Sequence, residues 1–433
     1  MVFLGSYSIG LYISGILGDN MNKKLLLGIG YIIVCGASVM IGMGGMWQIR
    51  SQWYYNFFFA LSGIVQSVGW PSVVAIMANW FPRKGRGFWF GIWVSNPNIG
   101  NIMGTLSCNI FNGQVGLDWR WTWIIVSLFV GVMGIINLLF LIDHPSKVGL
   151  IIQEDEEGDL QAIEEENTER RNSLRQGESH NTENRSSEET IVSPSNIVDD
   201  GHEGENSINF FKAWLIPGVI QFAICYLGLK LANYGIMLWL PTYVSDELGF
   251  NENEKTAVAI LYDVGTIAGS VLLGLISDLL YGKRCPVSFI GLLIATGFHA
   301  GLIFLTQNEK VLLFVVIFFL GFFVGGISNI IAGTACADLG KQDALKNNEK
   351  ALSTVTGIVD GTGSVGAAVG QKGIGYLQDH GTWSQIFTLM TFFVFLSSLP
   401  LSFISYKEIK EIRVLRRLKR EEKSKMIEEE KFY

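Results

Sequence analysis

Three ionisable residues sit where a chain of this kind can least afford them. Lys230, Asp263 and Asp360 each lie inside a long apolar stretch. Lys230 is seven residues or more from either end of its stretch. A cation at that depth must face a cavity, a partner or an anion, and lysine is a point-charge binder of phosphate. Either aspartate can carry a proton or pair with Lys230, or each can tie helices together through nearby serines and threonines. Asn96, Asn98 and Asn101 follow Gly91-Ile92-Trp93 in another apolar stretch. They have two uses there: bonding a substrate's hydroxyls, or bonding neighbouring helices. Trp70 precedes Pro71 in mid-stretch. The proline removes a backbone hydrogen bond and bends the helix, and the indole offers a donor and a broad face.

A second kind of motif occurs twice. Gly15-Ile16-Leu17-Gly18-Asp19 is followed by Lys23 and Lys24, and Gly274-Leu275-Ile276-Ser277-Asp278 by Lys283 and Arg284. Each is a helix end with a small-residue face, an acid, then a basic loop. One copy per half marks a two-bundle membrane transporter. The acid can bond the free N–H groups where the next helix begins, or pair with a loop arginine such as Arg86. Asp19, Asp278 and Arg86 are therefore read as a gate rather than as a substrate site.

The elements that position these residues follow from composition. Of 433 residues, 49% are hydrophobic and 16% charged. A membrane helix needs about 20 apolar residues. Eleven stretches qualify: 1–18, 25–46, 52–79, 87–111, 120–142, 210–240, 255–281, 286–306, 310–335, 350–377 and 382–405. The fold class is an all-α membrane protein of two helix bundles. The expected units are an N-terminal bundle 1–142, an acidic linker 143–209, a C-terminal bundle 210–405 and a charged tail 406–433. Seventeen acids against four arginines give residues 154–205 a charge of −13, so the rest of the chain carries +6 of the total −7. That stretch has no apolar period and is expected to be disordered. One set of loops carries Lys23, Lys24, Arg83, Lys84, Arg86, Lys283, Arg284, Lys341, Lys346 and Lys350, against Arg50, Arg120, Lys255 and Lys310 on the other. The positive-inside rule assigns the first set, the linker and the tail to the cytosol. Met1 then falls on the non-cytosolic side, so the first helix of a six-helix half is expected to be missing ahead of it. In the tail, Ile409, Ile412, Leu415 and Leu418 recur at three-residue spacing, as on a solvated or membrane-surface helix.

Several functions are disfavoured. There is no nucleophile–base set, phosphate-cradling loop, cofactor motif or metal-ligand spacing, and nothing basic enough for nucleic acid. An enzyme is not expected, and no obligate protein partner is evident. Cys35, Cys108, Cys225, Cys285 and Cys336 lie in or beside five different stretches and call for no disulfide. The N-terminus reads as a spanning helix rather than a signal peptide.

Ala337-Asp338-Leu339-Gly340, the run Ala351 to Thr356, and Asp360-Gly361-Thr362-Gly363-Ser364 together closely resemble the animal sugar phosphate exchangers. Those belong to the organophosphate:phosphate antiporters of the major facilitator superfamily. Gly69-Trp70-Pro71-Ser72, Gly91-Ile92-Trp93, Trp239-Leu240-Pro241 and Leu261-Tyr262-Asp263 extend the likeness over nearly all the chain except linker and tail. The resemblance implies a major facilitator fold of two six-helix bundles, here eleven helices with the first missing. It also implies exchange of a sugar phosphate such as glucose 6-phosphate for inorganic phosphate, in the endoplasmic reticulum membrane. Bacterial relatives line the site with a tyrosine and a tryptophan, matched by Tyr7 and Trp70. Their helix-seven arginine falls at Asn233, one turn after Lys230, and a family histidine falls near Asn96. The expected substrate contacts are thus Tyr7, Trp70, Trp93, Asn96 and Lys230, with Asn233, Tyr234, Asp263 and Asp360.

Overall fold

Runs of apolar residues, several of them bounded by capping side chains, fold as helices throughout the described residues. The structure is a computed structural model that describes residues 1–81, 86–150, 209–305, 309–341 and 351–430. No strand occurs among them. The acidic stretch 154–205 and the loop cations Arg83, Lys84, Lys346 and Lys350 lie outside the described residues.

The first half holds α1 Val2–Asn20, α2 Lys23–Met46, α3 Gln52–Gln66, α4 Gly69–Trp80, α5 Arg86–Trp93, α6 Asn96–Cys108 and α7 Trp119–Phe140. The second holds α8 Val219–Asp246, α9 Glu252–Leu279, α10 Cys285–Gly301, α11 Lys310–Gly340, α12 Leu352–His380 and α13 Trp383–Glu430. Polar side chains cap several starts. Asn22 accepts from the amides of Lys24 and Leu25, and Asn251 and Glu254 form a capping box at α9.

Among the described residues, nine helical segments are long and apolar enough to cross a membrane. The two expected spans that fall short, 87–111 and 350–377, are the two that carry the most polar chemistry. The first is also not one helix, as expected, but two. It breaks at Val94–Ser95, between α5 and α6. Pro97 cannot donate to the Trp93 carbonyl one turn back, and the side-chain Nδ2 of Asn96 donates there instead, at 2.9 Å. The second, α12, holds seven glycines and the buried Asp360.

Pro71 acts as expected, and the chain breaks between α3 and α4 at Ser67–Val68. The Ser67 carbonyl that Pro71 leaves unpaired accepts from the Ser14 hydroxyl of α1, at 2.9 Å. Two boundaries move. The span expected at 210–240 begins at Val219, because Gly218 turns the chain in the left-handed region (φ +97°). The tail is not a separate element: α13 runs unbroken from Trp383 to Glu430. Its Glu408 accepts from the Cys285 amide at the start of α10, and its Glu411 pairs with Lys283.

Two crossings carry most of the contact between the halves. Helix α1 packs along α12, and α5 along α9. Both need glycine. A methyl group on Gly274 or Gly87 would overlap the other's backbone, and one on Gly357 would lie 2.5 Å from the Leu11 carbonyl. Helices approach this closely in membranes when small residues remove the side chains between them.

Candidate functional site

The site is built around Lys230. Tyr226, Lys230 and Tyr234 lie four residues apart along α8 and so share one face. Lys230 is 5% exposed. Its ammonium donates to Asp360 Oδ1 at 2.6 Å and to Ser364 Oγ at 2.8 Å. Asp360 and Ser364 lie one turn apart on α12. The rings of Tyr226, Tyr234 and Tyr7 stand 5.2, 5.7 and 5.8 Å from Nζ. Tyr7 comes from α1, so both halves contribute to the cage. An aromatic face stabilises a desolvated ammonium by about 2 kcal/mol or more. The buried pair supplies the rest of the compensation a cation needs here.

Trp70 lies nearby in the first half. Its indole donates to the Ala332 carbonyl across the interface at 3.0 Å, and its ring stacks on Trp93, 5.5 Å between centres. Ala332 belongs to a π-helical turn, Ile331–Ala335, of α11. Such turns recur at functional sites.

A second polar cluster surrounds Asp263 on α9. Asn98 Nδ2 donates to Asp263 Oδ1 at 2.7 Å. Asn329 of α11 donates to Asn98 Oδ1 at 3.1 Å and to Ser270 Oγ at 3.0 Å. Tyr262 donates to Asn233 Oδ1 at 2.5 Å, and Asn233 reaches Ser328 at 3.4 Å, which in turn reaches Tyr226 at 3.4 Å. The Lys230 and Asp263 clusters are thereby linked. A cavity of about 490 Å³ opens beside Asp263, lined among others by Asn101, Met237, Thr242 and Tyr262. Acidic Asp246 and Glu252 stand at its wall with Lys255.

At the opposite, basic-loop end the two repeated motifs bond one half to the other. Asp19 accepts from the amides of Ser353 and Thr354, at 2.9 and 2.8 Å, and from the Thr354 hydroxyl at 2.6 Å. Asp278 accepts from the amides of Gly87 and Phe88, at 3.0 and 2.8 Å. Each acid therefore bonds the free N–H groups of a helix start, but that helix lies in the other half, not next in sequence. Asp19 does not pair with Arg86. Arg86 bonds Asp338 at 3.0 Å and the Phe81 carbonyl. Arg284 bonds Asp338 at 3.1 Å, Asp278 at 2.7 Å and Ser277. Burial disfavours charge on Arg284, but the carboxylates of Asp338 and Asp278 hold its pKa above the ordinary value.

Of the residues singled out from sequence, Tyr7, Lys230, Tyr234 and Asp360 meet in one cluster. Trp70 and Trp93 meet in a stack, and Asn233 joins the link to Asp263. Asn96 is exposed and bonded to the end of the preceding helix α5, and Asn98 is the buried asparagine. Tyr226 and Ser364 were legible as one-turn neighbours of Lys230 and Asp360. Asn329 gave no sequence signal and Asp338 stood out only within the family motif, because their partners lie on other helices.

Two helical halves meeting across a buried polar centre, sealed on one face and hollowed on the other, define a secondary transporter of the rocking two-bundle class. The description of the Major Facilitator Superfamily matches residues 1–370. Sugar phosphate exchanger 3 of Gallus gallus is 38% identical over 411 residues, 93% of this chain and 77% of its own length. Its counterpart in Homo sapiens is 37% identical over 410 residues, 93% of this chain and 78% of its own. A glucose-6-phosphate exchanger of Mus musculus is 35% identical over 389 residues, 90% of this chain and 74% of its own. The chain belongs to the sugar phosphate exchanger family of the major facilitator superfamily.

Proposed function

We propose that the chain exchanges a sugar phosphate, of the glucose 6-phosphate kind, for inorganic phosphate by alternating access. We place it in the endoplasmic reticulum membrane, with the basic-loop face, the linker and the tail toward the cytosol. The names of its relatives support the sugar phosphate. The observation that carries the reading is the Lys230 cluster: a buried ammonium at the meeting of both halves, countered by one carboxylate and walled by three tyrosines.

An ammonium has three donors. Asp360 and Ser364 take two of them. A phosphate oxygen takes the third, beside the tyrosine hydroxyls. Because the arriving anion carries nearly two charges at neutral pH, it competes with Asp360 for Lys230. Whichever anion is bound shares the cation during the rocking step. Trp70 and Trp93 wall the path between the halves. The closed face then opens when the Asp19 and Asp278 caps and the Arg86–Asp338–Arg284 cluster separate.

Purified full chain in liposomes loaded with phosphate takes up glucose 6-phosphate, and the same liposomes loaded with chloride do not. Equal uptake under both loadings contradicts exchange. Uptake driven by a pH gradient and indifferent to internal phosphate assigns the chain to proton-coupled transport instead.

A further inference from the structure

We infer that Asp263, aimed by Asn98, is the subsite that reads the sugar's hydroxyl groups and so sets the preference for a sugar phosphate over inorganic phosphate. This rests on the exchange reading above.

Asp263 is 6% exposed in α9 and forms no ion pair among the described residues. Asp19 and Asp278 bond helix starts, and Asp360 has Lys230. A buried carboxylate without a cation in an apolar span is costly, and such groups mark ligand paths. Its orientation is fixed from three helices. Asn98 of α6 donates to it, and Asn98 is itself held by Asn329 of α11, which also bonds Ser270 of α9. That much bonding behind one side chain positions it for a partner in front. The cavity of about 490 Å³ lies there, with Asp263 and Tyr262 in its wall. That volume is in the range of small-molecule pockets.

The subsite is placed to work together with Lys230. Asn233 follows Lys230 by three residues on the same helix face, and it accepts from Tyr262, next to Asp263. Met237, which lines the cavity, lies two turns beyond Lys230, about 10 Å along α8. The two ends have opposite chemistry. An ionised carboxylate only accepts hydrogen bonds, so it takes sugar hydroxyls and repels a phosphate. Lys230 attracts the phosphate. A sugar phosphate is thereby oriented, phosphate toward Lys230 and hydroxyls toward Asp263, while inorganic phosphate uses the Lys230 end alone.

The test compares wild type, Asp263→Asn and Asn98→Ala in phosphate-loaded liposomes. The entering solutes are glucose 6-phosphate, inorganic phosphate and a simple alkyl phosphate without hydroxyls. In both variants, kcat/KM for glucose 6-phosphate relative to inorganic phosphate falls about tenfold or more, as expected for a lost hydrogen bond to a charged group. The alkyl ester shows no such relative fall. An unchanged ratio in both variants, or an equal fall for the alkyl ester, overturns the inference. Wild type that carries no phosphate overturns the exchange reading as well, whereas active wild type with an unmoved ratio overturns this inference alone.

Discussion

Removing the Asp19 carboxylate should open the basic-loop face. The side chain sits at the end of α1 and accepts three hydrogen bonds from the start of α12, in the other half. A hydrogen bond to a charged group nets roughly 1.5 kcal/mol at the low end. Three such bonds give about 4.5 kcal/mol in favour of the closed arrangement. Asp19→Asn keeps one acceptor and loses the charge, so about half goes, ~2 kcal/mol or roughly 30-fold in the closed-to-open ratio. Asp19→Ala loses all of it, about a thousandfold. Ser353 reports the change. Its side chain is fully buried against Gly18, and its hydroxyl has no hydrogen-bond partner. Ser353→Cys, in a background without the five native cysteines, is then a neutral probe for a membrane-impermeant maleimide. Labelling should rise in the order wild type, Asn, Ala. If labelling stays flat while thermal stability falls, Asp19 merely caps α12 and does not hold the halves together, and the argument fails.

Three further outcomes follow from the same contacts. Gly274→Ala places a methyl group against the Gly87 backbone, so the α5–α9 crossing cannot close. Exchange should fall at least about tenfold with no large drop in melting temperature, because the bundles themselves are untouched. Lys230→Ala or Asp360→Ala alone leaves a buried unpaired charge and should destabilise the protein by about 3–5 kcal/mol, whereas the double variant should recover most of that stability without recovering transport. Thermal unfolding in detergent separates the three. Trp70→Phe keeps the stack on Trp93 but drops the bond to the Ala332 carbonyl. It should slow exchange about fivefold, the worth of one neutral hydrogen bond.

Much of this architecture could be read from the chain because membrane helices announce themselves by length and apolarity. The two halves were visible in the repeated Gly15–Asp19 and Gly274–Asp278 segments. Lys230 and Asp360 were conspicuous because a charge in an apolar run has few uses. What the sequence did not show is which residues meet across helices. Asp19 had two local options, yet it bonds Ser353 and Thr354, over three hundred positions away. Asn96, Asn98 and Asn101 looked equivalent, and only the break at Pro97 decides that Asn98 and Asn101 turn toward Asp263 while Asn96 does not. The same break hid the end of α5, since a single apolar run gives no sign of an interruption that Asn96 repairs. Asp338 sits in a motif that marks the family, but its role between Arg86 and Arg284 depends on the end of α11 meeting the starts of α5 and α10.

The central claim is that one buried ammonium holds the transported phosphate. The most direct measurement is phosphate self-exchange in phosphate-loaded liposomes, comparing wild type with the Lys230→Ala/Asp360→Ala double variant, which strands neither charge. Self-exchange by wild type that vanishes in the double variant is the predicted result. Equal self-exchange by the two proteins would contradict the account.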